Sequence, residues 1–276
     1  MKTIGFIDYF IDEWHANNYP AWIKDEAEKR EMDVKFAYAF AEKDSDTGLS
    51  TEAWCEKFGV TRCESIKEIC EKSDFLIILS PSNPEKHLEY AREVLKYGKR
   101  TYIDKTFAPS YKDAKEIFDI AEKYNTEIFS SSALRYATEL SEIKDPINLV
   151  ITGGGRSLEE YIVHQLEQMT VLFGVGAETV RVEEQGEQKL VTVGYSDGKK
   201  ATMIFAPSLP FTVCYEGENS GYTSVDSAFF NGLISDILGF FETGKHDPTK
   251  AETLEIMKIR EAVLRAAENV GSTVSI

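Results

Sequence analysis

The chain has 276 residues, 42% of them hydrophobic and 28% charged, with a formal net charge of −16. That length accommodates two domains, and the composition is that of a soluble globular protein. The acidity excludes a nucleic-acid or anionic-membrane partner, since such a surface repels both, and no run approaches the ~20 apolar residues of a membrane span. The opening MKTIGFIDYF reads as a strand and not as a signal peptide. Cys55, Cys63, Cys70 and Cys214 form no Cys-x-x-Cys pair, which fits reduced thiols in a cytoplasmic protein and no metal centre.

Thr3–Asp8 is the first predicted strand. The stretch that follows, Asp8-Tyr9-Phe10-Ile11-Asp12-Glu13-Trp14-His15-Ala16-Asn17-Asn18-Tyr19-Pro20, is bulky, lacks glycine and carries the carboxylates of Asp8, Asp12 and Glu13. A doubly wound nucleotide-binding sheet places Gly-x-Gly-x-x-Gly here, letting backbone amides approach a diphosphate over a helix N-terminus. That pattern is absent. His15, Asn17, Asn18 and Tyr19 either form a polar binding loop at the sheet edge or belong to a structural loop that caps a helix over Pro20–Glu31. The Asp8, Asp12 and His15 spacing fits no standard metal motif.

Asp33–Phe40 reads as the second strand, followed by Ala41-Glu42-Lys43-Asp44, and Ser50–Phe58 as a helix. Ser65-Ile66-Lys67-Glu68 is a capping box that opens a short helix. Phe75–Leu79 has the length and composition of a strand buried on both faces. Ser80-Pro81-Ser82-Asn83-Pro84 breaks it, with Asn83 as the expected N-cap and Pro84 as the first helical residue. The helix that follows ends near Gly98, and a short strand, Arg100–Asp104, leads into Lys105 and Thr106. Strand, helix and strand in so few residues make a parallel βαβ unit, and ligands bind outside the carboxyl ends of such strands. Both Ser80-Pro81 and Asp104-Lys105 lie at that edge. From spacing alone, Lys105 is equally a solvated lysine at a strand end.

The run SPSNPEKH (80–87) followed by YGKRTYIDKT (97–106) resembles the signature of the glucose–fructose oxidoreductase/inositol dehydrogenase (Gfo/Idh/MocA) family: strand, Ser/Thr-Pro, His, helix, Gly-Lys, strand, acidic-Lys-Pro. Thr106 stands where the family has proline. The resemblance extends along the chain. Glu42 is the nearest match to the acidic residue that holds the adenosine ribose. Ala133-Leu134-Arg135-Tyr136 resembles the Asn-x-Arg-Tyr/Phe that opens the second domain. Gly153-Gly154-Gly155 and RSLEEYIVHQLEQMTVLFG resemble the glycine turn and the helix bearing Asp-x-x-x-His-x-x-Asp, which aligns Glu160, His164 and Glu167 with its three polar positions. Positions i, i+4 and i+7 share a helical face. Ile162 replaces the glycine usual before the histidine.

After a sixth strand over Thr126–Ser131 and a seventh over Pro146–Thr152, extended segments follow at Thr179–Glu183, Lys189–Tyr195, Ala201–Ala206 and Phe211–Glu216. Ser196-Asp197-Gly198-Lys199 is a hairpin signal between two of them. Ser227–Glu242 and Thr249–Asn269 read as helices, and Gly271–Ile276 as a returning strand. The expected fold is α/β: a Rossmann-like doubly wound parallel sheet over residues 1–135, then an α+β domain with a largely antiparallel sheet over 136–276.

The resemblance implies hydride transfer between NAD or NADP and a hydroxyl-bearing carbon of a sugar, polyol or related small molecule. His164 would be the general acid or base, as befits a group whose unperturbed pKa is ~6.5. Lys105 would steady the developing alkoxide or bind the cofactor ribose, and Glu160 would orient the histidine or bind a neighbouring hydroxyl. Asp8, His15, Asn18, Glu42, Ser80, Pro81 and Asp104 would face the cofactor, and Arg135, Tyr136 and Glu167 the substrate. A homo-oligomer built on the second sheet is expected. The glycine-free acidic turn sustains a rival reading, a redox-neutral or non-catalytic small-molecule binder that keeps the fold.

Overall fold

The computed structural model describes residues 1–276, which divide into two compact units. Met1–Ser131 with Ile234–Thr249 form the first, and Ser132–Leu233 with Lys250–Ile276 the second. This differs from a single cut after residue 135, because 234–249 belongs with the first unit.

The first unit is a parallel six-stranded sheet built from β1 (Lys2–Asp8), β2 (Val34–Ala41), β3 (Thr61–Arg62), β4 (Phe75–Ile78), β5 (Thr101–Ile103) and β6 (Ile128–Phe129). Its order, β3-β2-β1-β4-β5-β6, is that of a doubly wound nucleotide-binding sheet. Ile4, Phe6 and Ile7 of β1 and Leu76, Ile77 and Ile78 of β4 are fully buried, as their near-continuous apolar runs require. The crossovers carry α1 (Trp14–Lys29), α2 (Thr51–Phe58), α3 (Ile66–Lys72), α4 (Glu85–Val94) and α5 (Tyr111–Lys123). On α5 the residues Ala114, Ile117, Phe118 and Ala121 are buried, the 3-to-4-residue spacing of one helical stripe.

Two helix starts differ from expectation. α1 begins at Trp14, so His15, Asn17, Asn18 and Tyr19 are helical and the turn is only Tyr9–Glu13; Pro20 lies inside the helix. Pro84, not Asn83, is the N-cap of α4, and the Asn83 amide instead donates to Glu85 Oε1 at 2.9 Å.

The second unit holds a seven-stranded sheet of order β12-β11-β7-β10-β9-β8-β13. Its strands are β7 (Asn148–Gly153), β8 (Ala177–Gln185), β9 (Gln188–Tyr195), β10 (Lys200–Phe205), β11 (Thr212–Glu216), β12 (Ser220–Ser224) and β13 (Thr273–Ser275). Neighbours are antiparallel except β7 and β10, which are parallel. Ile151, Val180, Val182, Val191, Met203 and Val213 turn to one face and are fully buried. The helices α6 (Leu158–Phe173) and α8 (Lys250–Glu268) lie against β7, β10 and β8. The glycine turn after β7 serves close packing. A Cβ at Gly154 would stand 2.7 Å from the carbonyl oxygens of Ala206 and Pro207.

The remaining helix, α7 (Phe229–Thr243), starts in the second unit and ends in the first. There Phe241 stacks on Phe75 at 4.7 Å and Phe240 meets Phe129 edge-on at 5.0 Å. His246 lies flat on Phe129 at 4.7 Å. No helix is long and apolar enough to cross a membrane.

Candidate functional site

In the first unit the carboxyl ends of β1, β4 and β5 gather a group of acids. Asp8 closes β1 and is 1% exposed. Its Oδ1 accepts from Tyr9 N at 2.7 Å, Ser80 N at 3.0 Å and Ser80 Oγ at 3.0 Å. Burial first, and the charge of Glu13 second, hold its carboxyl well above the ordinary carboxylate range. Ser80 adopts a left-handed backbone, φ 59°, and its amide donates to Asp8.

Glu13 is the N-cap of α1. Its side chain folds back on the first turn, Oε1 accepting from Ala16 N at 2.5 Å and Oε2 from His15 N at 2.9 Å. The same Oε2 faces His15 Nδ1 at 3.1 Å, and His15 Nε2 lies 3.8 Å from Asp104 Oδ2. Asp104 is 1% exposed, with the Tyr102 hydroxyl 3.0 Å from its Oδ1. Burial, reinforced by the Asp104 charge, keeps the Tyr19 hydroxyl protonated far above its ordinary range. Lys105 follows, half-buried, and its peptide bond to Thr106 is cis. The fully buried His87 ties the end of β4 to the segment after Lys105, with Nε2 2.5 Å from the Leu79 carbonyl and Nδ1 3.1 Å from that of Phe107.

Most residues expected to face a cofactor are thus engaged internally. Asp8, Ser80 and Asp104 are buried, as is Pro81. The Asn18 amide donates to the Trp14 carbonyl at 2.6 Å within α1. Glu42 accepts from Lys86 Nζ at 2.8 Å and from the Tyr90 hydroxyl at 2.9 Å. A diphosphate held in the ordinary way needs the amides at the start of α1 and beside β1, and here Glu13 and Asp8 already take them. A phosphate brought to about 4 Å from the Glu13 carboxylate would meet roughly 4 kcal/mol of repulsion per charge at an effective dielectric of ~20. That is about three orders of magnitude in affinity. The residues present therefore do not fit a dinucleotide diphosphate in the ordinary mode. No group of three or more His, Cys, Asp or Glu side chains is placed to hold a metal ion.

In the second unit, α6 opens on its N-cap Ser157 and carries His164. His164 Nδ1 lies 2.7 Å from Ser132 Oγ, and its ring packs near Tyr161 and Phe211. Ser132 N donates to Glu167 Oε1 at 3.0 Å, so the histidine and the acid three positions on converge on one serine. Glu167 Oε2 is 3.1 Å from Arg135 Nη1, and Arg135 Nη2 is 2.6 Å from Glu252 Oε1 on α8. The side chains of Arg135 and Glu167 are only 4% and 6% exposed. Paired and buried, these two form a scaffold, in place of the substrate contacts expected of them. Glu160 pairs with Arg156 one turn earlier, and it is Ser132 that holds the His164 ring. Tyr136 packs on Gly232, where a Cβ would approach the tyrosine Cβ to 2.6 Å.

Sequence reasoning missed Ser132 and the capping role of Glu13. The triplet Ser130-Ser131-Ser132 just before Arg135 was the available signal for the first. A carboxylate three residues ahead of Ala16 was the signal for the second, obscured by the helix start placed at Pro20.

Residues 38–131 match the family model described as "Oxidoreductase family, NAD-binding Rossmann fold". The matched stretch contains Lys105 and leaves out the β1–α1 turn and α6. A relative described as an uncharacterized oxidoreductase, from Streptococcus pneumoniae serotype 4, is 24% identical over 106 residues, which are 38% of this chain and 28% of the relative's length. Among solved structures, GenD2 from gentamicin A biosynthesis, in complex with NAD, superposes with a TM-score of 0.79 at 13% identity, covering 100% of this chain and 97% of that one. A myo-inositol dehydrogenase from Lactobacillus casei, in complex with NAD(H) and myo-inositol, gives 0.80 at 11% identity, covering 100% and 96%. At these identities the superpositions speak for the fold.

Proposed function

We propose that the chain is a divergent member of the Gfo/Idh/MocA oxidoreductase family, whose model its residues 38–131 match, and that it oxidises a hydroxyl, or reduces the matching carbonyl, on a sugar, polyol or related small molecule. One observation carries this reading: His164 is held at Nδ1 by a neutral hydroxyl, Ser132 Oγ, on the helix that resembles the family's histidine helix. A serine hydroxyl can accept the Nδ1 proton or donate its own. It therefore keeps the ring oriented in either protonation state, which is what a group that takes up and returns a proton through Nε2 needs. By the family resemblance, Lys105 is the residue that would supply positive charge for a developing alkoxide. A nicotinamide dinucleotide, which the family description names, would exchange the hydride.

The test is a purified-protein assay with NAD or NADP and a panel of polyols and sugars, followed by nicotinamide absorbance. His164→Gln is expected to lower turnover by about 10²–10⁴-fold while unfolding as cooperatively as the wild type. Equal rates in the two proteins would sink the assignment. The occupied α1 amides favour a second reading, a polyol binder without turnover. Calorimetric polyol binding that Lys105→Ala abolishes, with no nicotinamide reduction under any condition, would decide for it.

A further inference from the structure

The start of α1 is filled from within. Two amides that would face an anion, those of His15 and Ala16, donate to the Glu13 carboxylate. Two more at the same sheet edge, those of Tyr9 and Ser80, donate to Asp8. Glu13 is also held from its other side, since Oε2 faces His15 Nδ1 and the far nitrogen of that ring lies near Asp104. Capping alone does not call for this arrangement. Serine, threonine, aspartate and asparagine cap with a short side chain and one oxygen, whereas Glu13 spends both oxygens and joins a chain of Glu13, His15 and Asp104.

We propose that Glu13 is a built-in occupant of the anion position on α1, so that a dinucleotide gains its diphosphate contacts only by displacing that carboxylate. The proposal rests on the oxidoreductase reading above and adds a regulatory element to it. The resting chain binds NAD(H) weakly because its own carboxylate competes for the same two amides. The competitor is tethered, and is therefore present at high effective concentration.

The test compares NADH and ADP-ribose binding, by nicotinamide fluorescence and calorimetry, in wild type, Glu13→Ser and Glu13→Gln. Glu13→Ser keeps a good N-cap and removes the charge, so the helix start is preserved. Glu28→Ser, an exposed position on the same helix, is the control. The expected result is an affinity for both ligands at least about tenfold tighter in Glu13→Ser than in wild type, a gain of roughly 1.4 kcal/mol, with no change in Glu28→Ser. NADH should also raise the melting temperature of Glu13→Ser more than that of wild type. Micromolar NADH binding in wild type that Glu13→Ser leaves within twofold would overturn the proposal and leave the oxidoreductase reading standing. Failure of every variant to bind either ligand would overturn both.

Discussion

Asp8 ends the first strand in an environment that opposes its charge. It is fully buried, Glu13 lies nearby, and only one of its two oxygens has hydrogen-bond donors. The folded state therefore holds the Asp8 proton to higher pH than the unfolded chain does, where the carboxyl titrates near ~3.9. Between those two values the native state binds more protons, so this residue's contribution is full at low pH and is lost as pH rises through its folded value. Asp8→Asn removes that dependence. Its urea midpoint is expected to gain on wild type as pH climbs from about 4 toward neutrality, and a pH-independent difference would contradict the argument. Arg135 and Glu167 present the opposite case, two charges taken out of water together. Arg135→Met leaves Glu167 buried without its partner and should cost about 3–5 kcal/mol in urea unfolding, whereas Arg135→Met with Glu167→Leu should recover most of it. The sequence showed both residues as polar groups at matched family positions. It could not show that they face each other, because that depends on Ser132 bringing the backbone before Arg135 against α6.

At the level of elements, the long apolar runs and the Ser65 capping box were legible because their signals are local. Ser50, Ser110 and Ser157 cap the helices that follow them in the same way, whereas the cap expected at Asn83 falls to Pro84. The start of α1 was not legible, because proline is common at the first helical position, and Pro20 drew the start six residues too late; a long first turn held by Glu13 replaces the expected loop. β12 was also missed. Its sequence, Ser-Gly-Tyr-Thr-Ser, is exposed along most of its length and owes its conformation to pairing with β11. The glycines after β7 were read as a turn, and packing gives them a stricter meaning. Gly154→Ala would press a methyl group against the backbone oxygens of Ala206, Pro207 and Leu209, atoms that cannot rotate away. Thermal unfolding should report a loss of roughly 1–3 kcal/mol. By contrast, Gly186, in a tight turn with φ 63° and open space around it, should lose about 1 kcal/mol on replacement by alanine, for its backbone alone. If Gly154→Ala proved as stable as wild type, the close approach after β7 would be refuted.

For the molecule as a whole, the second sheet offers an open face. In register across it run Tyr222, Cys214, Val150, Thr202, Thr192 and Arg181. Tyr222 is 77% and Val150 36% exposed, and Thr152 and Thr212 share a 2.6 Å hydroxyl contact beside them. Between the charges at its margins, among them the Arg181–Glu183 pair, the middle of this face carries only Tyr, Cys, Val and Thr side chains, more apolar than a solitary chain usually leaves in water. Light scattering at micromolar concentration is expected to give a dimer or larger species, and Thr202→Glu, which sets a charge in the middle of the row, to return it to 31.1 kDa. A wild-type mass of 31.1 kDa would remove the basis for self-association.

The course of α7 bears on how the chain comes off the ribosome. Phe75 and Phe129 are made early, yet the rings that cover them, Phe241, Phe240 and His246, are made near the end. At ~5–20 residues per second of synthesis, the nascent first sheet waits for seconds with those rings bare, while the whole of the second sheet except β13 is made in between. The first unit therefore cannot finish folding before the second has largely emerged, and an N-terminal fragment released at Ser131 would enter the cell already sticky.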